Sequence, residues 1–165
     1  MILRPEDQGD RHAIFAVVAA AFPTFAEARL VDRLRADGDA KISFVASIDG
    51  VIVGHVMLSR MVADFRALGL GPVAVVPSRQ RSGIGTSLIA AGVAAATGRW
   101  DMVFVLGDPA FYGRFGFDPA LARRFGSPYA GPQFLALSLT RDSSAYSGSV
   151  DYAPAFDDLT ASTHD

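Results

Sequence analysis

The sequence predicts an α/β (α+β) fold with a mixed central sheet flanked by helices, on three observations. Apolar residues recur with helical and then strand-like periods along nearly the whole chain. Asp49-Gly50 joins two strand-like runs as a tight hairpin, so part of the sheet is antiparallel. From Leu68 to Leu106 a strand, a glycine-opened helix and a second strand follow in succession, a right-handed crossover that makes another part parallel. With 165 residues, 50% of them hydrophobic, there is material for one core, and residues 1–165 read as a single domain without internal repeat or linker.

Each element has a local reason. Residues 2–4 read as a short strand, and Asp10 is placed to cap a helix carrying Ile14, Phe15, Val17, Val18, Ala21 and Phe22, which Pro23 ends. A second amphipathic helix over about 26–36 has Leu30, Val31 and Leu34 on one side and stops at Asp37-Gly38-Asp39. Strands follow over 43–48 and 51–61, then 68–76, a helix from about 83 to 97, and a buried strand at 102–106. Pro72 falls inside the third of these strands, where a missing ladder donor favours a bulge or an edge. Asp108 and Pro109 open a short helix through Phe115, Gly116 breaks it, and residues 134–139 form the last strand. The tail over 142–165 is polar but carries Tyr146, Tyr152, Pro154 and Phe156, which anchor it to the body, while its last several residues are expected to be loose.

Composition narrows the function. The formal charge is −2, Lys41 is the sole lysine and the arginines form no run, so there is no electrostatic case for a nucleic-acid partner. The sequence has no cysteine, which removes disulfides, thiolate metal ligands and a cysteine nucleophile. His12, His55 and His164 lack metal-site spacing, and no metal is expected. The N-terminus meets charge too early for a secretory signal and the apolar runs are too short to cross a bilayer, so a cytoplasmic location without membrane attachment is expected. A soluble protein of alanine- and arginine-biased composition accounts for these features equally well.

The chemistry lies in residues 73–89, an apolar strand, a short basic turn and a helix opened by Gly83 and Gly85. Without Cβ atoms there, the N–H groups of Arg81, Ser82, Gly83, Ile84, Gly85 and Thr86 can approach a diphosphate, beside the positive end of the helix dipole and the charges of Arg79 and Arg81. The bland alternative is a pair of turn glycines with no ligand. Two other spellings are coincidental. Gly69-Leu-Gly71-Pro-Val-Ala74 precedes a strand rather than opening a helix, and no lysine follows Gly83 or Gly85 as a Walker loop requires.

Gln80-x-x-Gly83-x-Gly85 resembles the pyrophosphate loop of the GNAT superfamily of N-acetyltransferases, and the order of elements resembles the acyl-CoA N-acyltransferase fold. Leu106-Gly-Asp-Pro-Ala-Phe-Tyr-Gly-Arg-Phe-Gly-Phe117 resembles the YhbS-like predicted acetyltransferases. The resemblance implies acetyl-CoA as acyl donor, an acceptor amine on a small molecule, peptide or protein, and direct transfer without a covalent acyl-enzyme; a homodimer is compatible with it. It also implies that the strand before the loop splays from its parallel neighbour and that Ala74, Val75 and Val76 offer backbone groups in the gap. Tyr112 matches the family's frequent general acid, beside the alternative of a core aromatic. The asparagine that many relatives place after the fifth strand is missing, since the chain contains none, and that role is not transferred to Asp108.

No general base is obvious, because residues 68–76 lack the glutamate many relatives carry there. Glu27, at the start of the second helix, faces where the family's acceptor site is walled; a carboxylate stabilised by the helix dipole explains it as well. His55 reads as a core histidine rather than a base. The competing class is a non-catalytic acyl-CoA-binding or sensor domain.

Overall fold

The computed structural model describes residues 1–162, with side chains through Leu159. In chain order the elements are β1 (Ile2–Pro5), α1 (Arg11–Ala21), α2 (Ala26–Ala36), β2 (Ala40–Ile48), β3 (Val51–Arg60), β4 (Ala67–Val75), α3 (Ile84–Ala96), β5 (Met102–Leu106), α4 (Pro109–Tyr112), α5 (Pro119–Ala122), β6 (Phe134–Ser138) and α6 (Phe156–Ser162). The strands form one mixed sheet in sequence order, antiparallel throughout except for the β4–β5 pair. Asp49 and Gly50 both have positive φ, at 52° and 78°, the geometry of the two-residue hairpin that the sequence signals.

Strand alternation divides the core. On β3, Val56 and Leu58 join Ile84, Leu88 and Ile89 of α3 on one face, and Met57 joins Ile14, Val18, Leu30 and Leu34 of α1 and α2 on the other. Each of these buried aliphatic side chains contributes roughly 1.5–3 kcal/mol of hydrophobic stabilisation. Two glycines draw α3 close: a Cβ at Gly54 would lie 2.9 Å from Leu88 Cδ1, and one at Gly92 would lie 2.7 Å from Leu58 Cδ1. That approach fixes the start of α3 over the end of β4. The α1–α2 layer covers β2 to β4, and an aromatic cluster of Phe104, Phe125, Phe134 and Tyr152 covers β5 and β6.

A polar group lies inside the first of these layers. Ser43 Oγ bridges Glu6 Oε1 at 3.1 Å and His55 Nε2 at 2.9 Å, and Arg35 Nε donates to Glu6 Oε2 at 3.0 Å. Burial raises the Glu6 carboxyl, but the Arg35 guanidinium and the Ser43 hydroxyl more than offset it and leave it below the usual range. His55 is fully enclosed, and burial, aided by Arg35 and opposed by Glu6, pushes it down to about 4.

Several expectations need correction. Asp10 does not cap α1 through its side chain; its carboxylate takes the Arg4 guanidinium at 2.6 and 3.0 Å and the Asp7 N–H at 2.7 Å. β2 begins at Ala40 rather than at Ser43, since an irregularity between Ala40 and Ile42 lets pairing extend past the first polar residues. α3 starts at Ile84, with Gly83 its left-handed cap at φ 88°. The helix expected from Pro109 to Phe115 tightens to a 3-10 turn at Gly113–Phe115. Beyond residue 142 the chain includes a helix, α6, and Tyr146 and Tyr152 pack against Phe65 and Tyr129 at ring separations of 5.2 and 4.8 Å. The looseness expected at the very end concerns residues 163–165, outside the described residues.

Candidate active site

β4 and β5 part company early. Their parallel ladder covers Ala67↔Met102, Leu68↔Val103 and Gly69↔Phe104 and goes no further, so from Leu70 to Val75 the outer side of β4 faces no strand. Between Val56↔Val73 and Leu58↔Leu70 the β4 strand spends one extra residue, which places a bulge at Gly71-Pro72 as the proline suggests. Tyr152 sits at the base of the fork: a Cβ on Gly69 would lie 2.6 Å from its Cε1.

The ladder with β3 decides which groups face the fork. Val76 N–H donates to Val53 O at 2.9 Å, so antiparallel alternation turns Val76 and Ala74 toward β3 and leaves Val73 and Val75 facing outward. The Val75 carbonyl is taken by Gln80 Nε2 at 3.0 Å. Of the residues named from sequence, then, Val75 offers an N–H to the gap while Ala74 and Val76 have theirs engaged; Val73 was missed. Its signal was the alternation itself, once the bulge at Pro72 is counted.

At the open end of the fork the turn presents donors. Arg81 and Gly83 adopt left-handed φ values of 62° and 88°, and α3 begins directly after them. Among the described residues, no acceptor is found for the N–H groups from Arg81 through Thr86; the first bond of the helix is Ser87 N–H to Gly83 O. Ser82 Oγ donates to the Arg79 carbonyl and ties the turn. Gln80, Arg81, Ser82 and Gly83 are exposed, whereas Ile84 buries its side chain in the core and has only its amide to offer. Arg114, stacked 4.7 Å over the Phe111 ring, reaches Thr86 Oγ1 at 3.4 Å and adds a cation to this end.

The inner end opens into a cleft of about 340 Å³ lined by Leu70 to Val73 of β4, Leu106, Tyr112, Glu27 and Leu30 of α2, Tyr129, Tyr152 and Phe156. It brings together Tyr112 and Glu27, the two residues singled out for catalysis. The Tyr112 ring presses on Gly107 and leaves no room there for a Cβ, and it meets Phe111 and Phe117 edge-on at 4.9 and 5.9 Å. Burial raises its pKa, so the phenol keeps its proton at neutral pH. Glu27 Oε2 is shut off from water and has no hydrogen-bond partner among the described residues. Asp108 spends its carboxylate on the Ala110 N–H at 3.0 Å, capping α4, and His55 does not line the cleft. Tyr129 and Tyr152 are the cleft residues that sequence reasoning left unassigned; Tyr152 was marked only as an anchor for the tail.

The chain matches the acetyltransferase (GNAT) domain family model over residues 39–119. It is 34% identical over 125 residues to the uncharacterised N-acetyltransferase YhbS of Escherichia coli strain K12, covering 73% of this chain and 75% of that protein. The chain belongs to the GNAT family of N-acetyltransferases. Among solved structures, the Escherichia coli YhbS complex with CoA superimposes with a TM-score of 0.88 at 30% identity, covering 94% of this chain and 91% of that one. A GNAT acetyltransferase of Brucella melitensis in complex with acetyl-CoA gives 0.80 at 33% identity, covering 94% and 97%. The fold is therefore the GNAT fold, and the chain is an acyltransferase of that family. Among the described residues no helix is long and apolar enough to cross a membrane, and no cluster of three metal-ligating side chains occurs.

Proposed function

We propose that this GNAT protein transfers the acetyl group of acetyl-CoA directly to an acceptor amine, working in the cytoplasm. The reading rests on one observation: a single fork in the sheet runs from a cradle of free amides at Arg81–Thr86 to a cleft that holds both Tyr112 and Glu27. The residues fit acetyl-CoA. Six free N–H groups with Arg79 and Arg81 beside them suit a diphosphate, and the outward N–H groups of Val73 and Val75 suit the amide and thioester oxygens of an extended arm. When bound, acetyl-CoA supplies an activated acyl carbon and a thiolate leaving group. Tyr112, held protonated, donates its phenolic proton to the departing sulfur. Glu27 draws in a cationic amine and accepts its proton, directly or through water, which leaves a neutral nucleophile. Backbone donors at the fork orient the carbonyl and gain strength in the dry interior of the sheet.

A screen of diverse amines for acceptor-dependent CoA release tests this reading. Turnover with any amine, lost in Tyr112→Phe, supports it. Tight acetyl-CoA binding with no turnover across the screen favours a sensor, and no binding at all sinks both.

A further inference from the structure

Among the described residues, two polar atoms of side chains that line the cleft have no partner. Glu27 Oε2 and the Tyr152 hydroxyl are both buried and unbonded, and Tyr152 as a whole is only 4% exposed. A carboxylate oxygen or a hydroxyl kept from water without a hydrogen bond destabilises the free protein, so each marks a place where a ligand supplies the missing bond. Among the described residues, Glu27 is the one charged side chain of the lining, and most of the rest is aliphatic or aromatic, with Leu30, Leu70, Phe156 and Leu159 beside it and the Tyr112 and Tyr129 phenols as its other side-chain polar groups. Tyr152 meets Tyr129 edge-on at 4.8 Å and Phe156 at 4.9 Å, which makes a continuous aromatic surface beside Glu27. Arg29, whose guanidinium lies 5.9 Å over Phe25, shares with Glu27 a neighbouring surface cleft and not this one.

We propose that the acceptor is a primary amine on a compact, uncharged apolar body, with its ammonium held by Glu27 and Tyr152 and its body against Tyr129 and Phe156. The inference rests on the acetyltransferase reading above. An ammonium carries three donors and no acceptor, which matches a carboxylate and a hydroxyl oxygen, and the surrounding ring faces attract the same charge. Among the described residues, the lining holds no second carboxylate for a further ammonium. Polyamines and lysine side chains in basic peptides carry further charges for which the lining, among the described residues, has no carboxylate besides Glu27.

The test uses the full chain with CoA present, so that the donor side is filled and no turnover occurs. Calorimetry compares 2-phenylethylamine with 2-phenylethanol, which lacks the charge, and with ethanolamine, which lacks the apolar body. Expected is a preference for 2-phenylethylamine of about tenfold or more over each, of the size a paired, desolvated cation and one buried ring supply. Glu27→Gln should abolish the preference over 2-phenylethanol. Tyr152→Phe should weaken 2-phenylethylamine several-fold while leaving the melting temperature unchanged or raised, because it removes an unsatisfied hydroxyl; a purely structural tyrosine would not separate the two readouts. Equal affinity for the three probes, or tighter binding of spermidine or a lysine peptide, overturns the acceptor class while CoA binding in the same titration upholds the acetyltransferase reading. Failure of CoA to bind removes both.

Discussion

Acid should unfold this protein through His55. The imidazole has no exposed surface, and its pKa falls from the ordinary 6.5 to about 4 in the fold. The charges acting on it are Glu6, which favours the proton, and Arg35, which opposes it, and burial outweighs both. Above pH 6.5 the side chain is neutral in folded and unfolded chains alike and costs nothing. Below that, the unfolded chain takes up a proton that the folded one refuses, so stability is lost as pH falls from about 6.5 to about 4 and then levels off. A depression of this size corresponds to about 3 kcal/mol, a large part of the margin of a typical domain. The experiment is urea unfolding of the wild type and His55→Gln at a series of pH values from 7.5 to 4. Glutamine cannot titrate and keeps a polar group toward Ser43, and the shared carboxylates other than Glu6, which His55 itself influences, cancel in the comparison. The wild type should lose about 3 kcal/mol more than the variant across the window. Parallel losses in the two proteins would refute the reasoning and mean that the unprotonated imidazole is not what the fold selects.

Four further outcomes follow from the site. Gly83→Glu should abolish acetyl-CoA binding in calorimetry while the protein stays folded, since it puts bulk and negative charge among the free amides; a left-handed φ of 88° adds a stability cost of about 1–2 kcal/mol. Tyr112→Phe should keep acetyl-CoA affinity and lower turnover by on the order of 10²-fold, and an unchanged rate with chemistry limiting would assign the ring to packing. Glu27→Gln should raise the acceptor KM or shift the basic limb of the pH profile with acetyl-CoA affinity intact, whereas a dipole-only role would show as about 0.3–1 kcal/mol of stability and nothing in the kinetics. Gly69→Ala should displace Tyr152 from the base of the fork at a cost of about 1–3 kcal/mol by thermal melt, because the new Cβ would stand 2.6 Å from the ring.

Where a local signal and the tertiary structure agree, the sequence was legible. Asp49-Gly50 needed no context to make a hairpin, and the strand–turn–helix at residues 73–89 carried its own punctuation. Asp108-Pro-Ala and Asp118-Pro-Ala are the same signal, and in both the carboxylate caps a short helix, accepting from Ala110 and Ala120 N–H at 3.0 and 2.8 Å. Only the first was read, because α5 is four residues long and has no apolar period to draw attention to it. At the site, the bulge obscured the alternation of β4, so the sequence did not show that the N–H groups of Val73 and Val75 face the gap while those of Ala74 and Val76 face β3. Tyr152 could not be placed from local pattern at all: its position depends on a chain segment far from Gly69 in sequence returning to it in space, and no period or spacing encodes that return.

The return has a consequence for the order in which the binding functions come into being. The amide cradle and the fork depend on β3, β4, α3 and β5, all formed from residues before 107. The aromatic side of the acceptor cleft depends on Tyr129, Tyr152 and Phe156. During synthesis the cradle and the fork can therefore assemble while Tyr152 and Phe156 are still in the ribosomal tunnel. A protein shortened after β6 keeps the amide cradle, Glu27 and Tyr129, and loses Tyr152 and Phe156. The aromatic wall of the cleft is thus open to change by altering one late segment, with the β3–β5 sheet and the amide cradle formed from earlier residues.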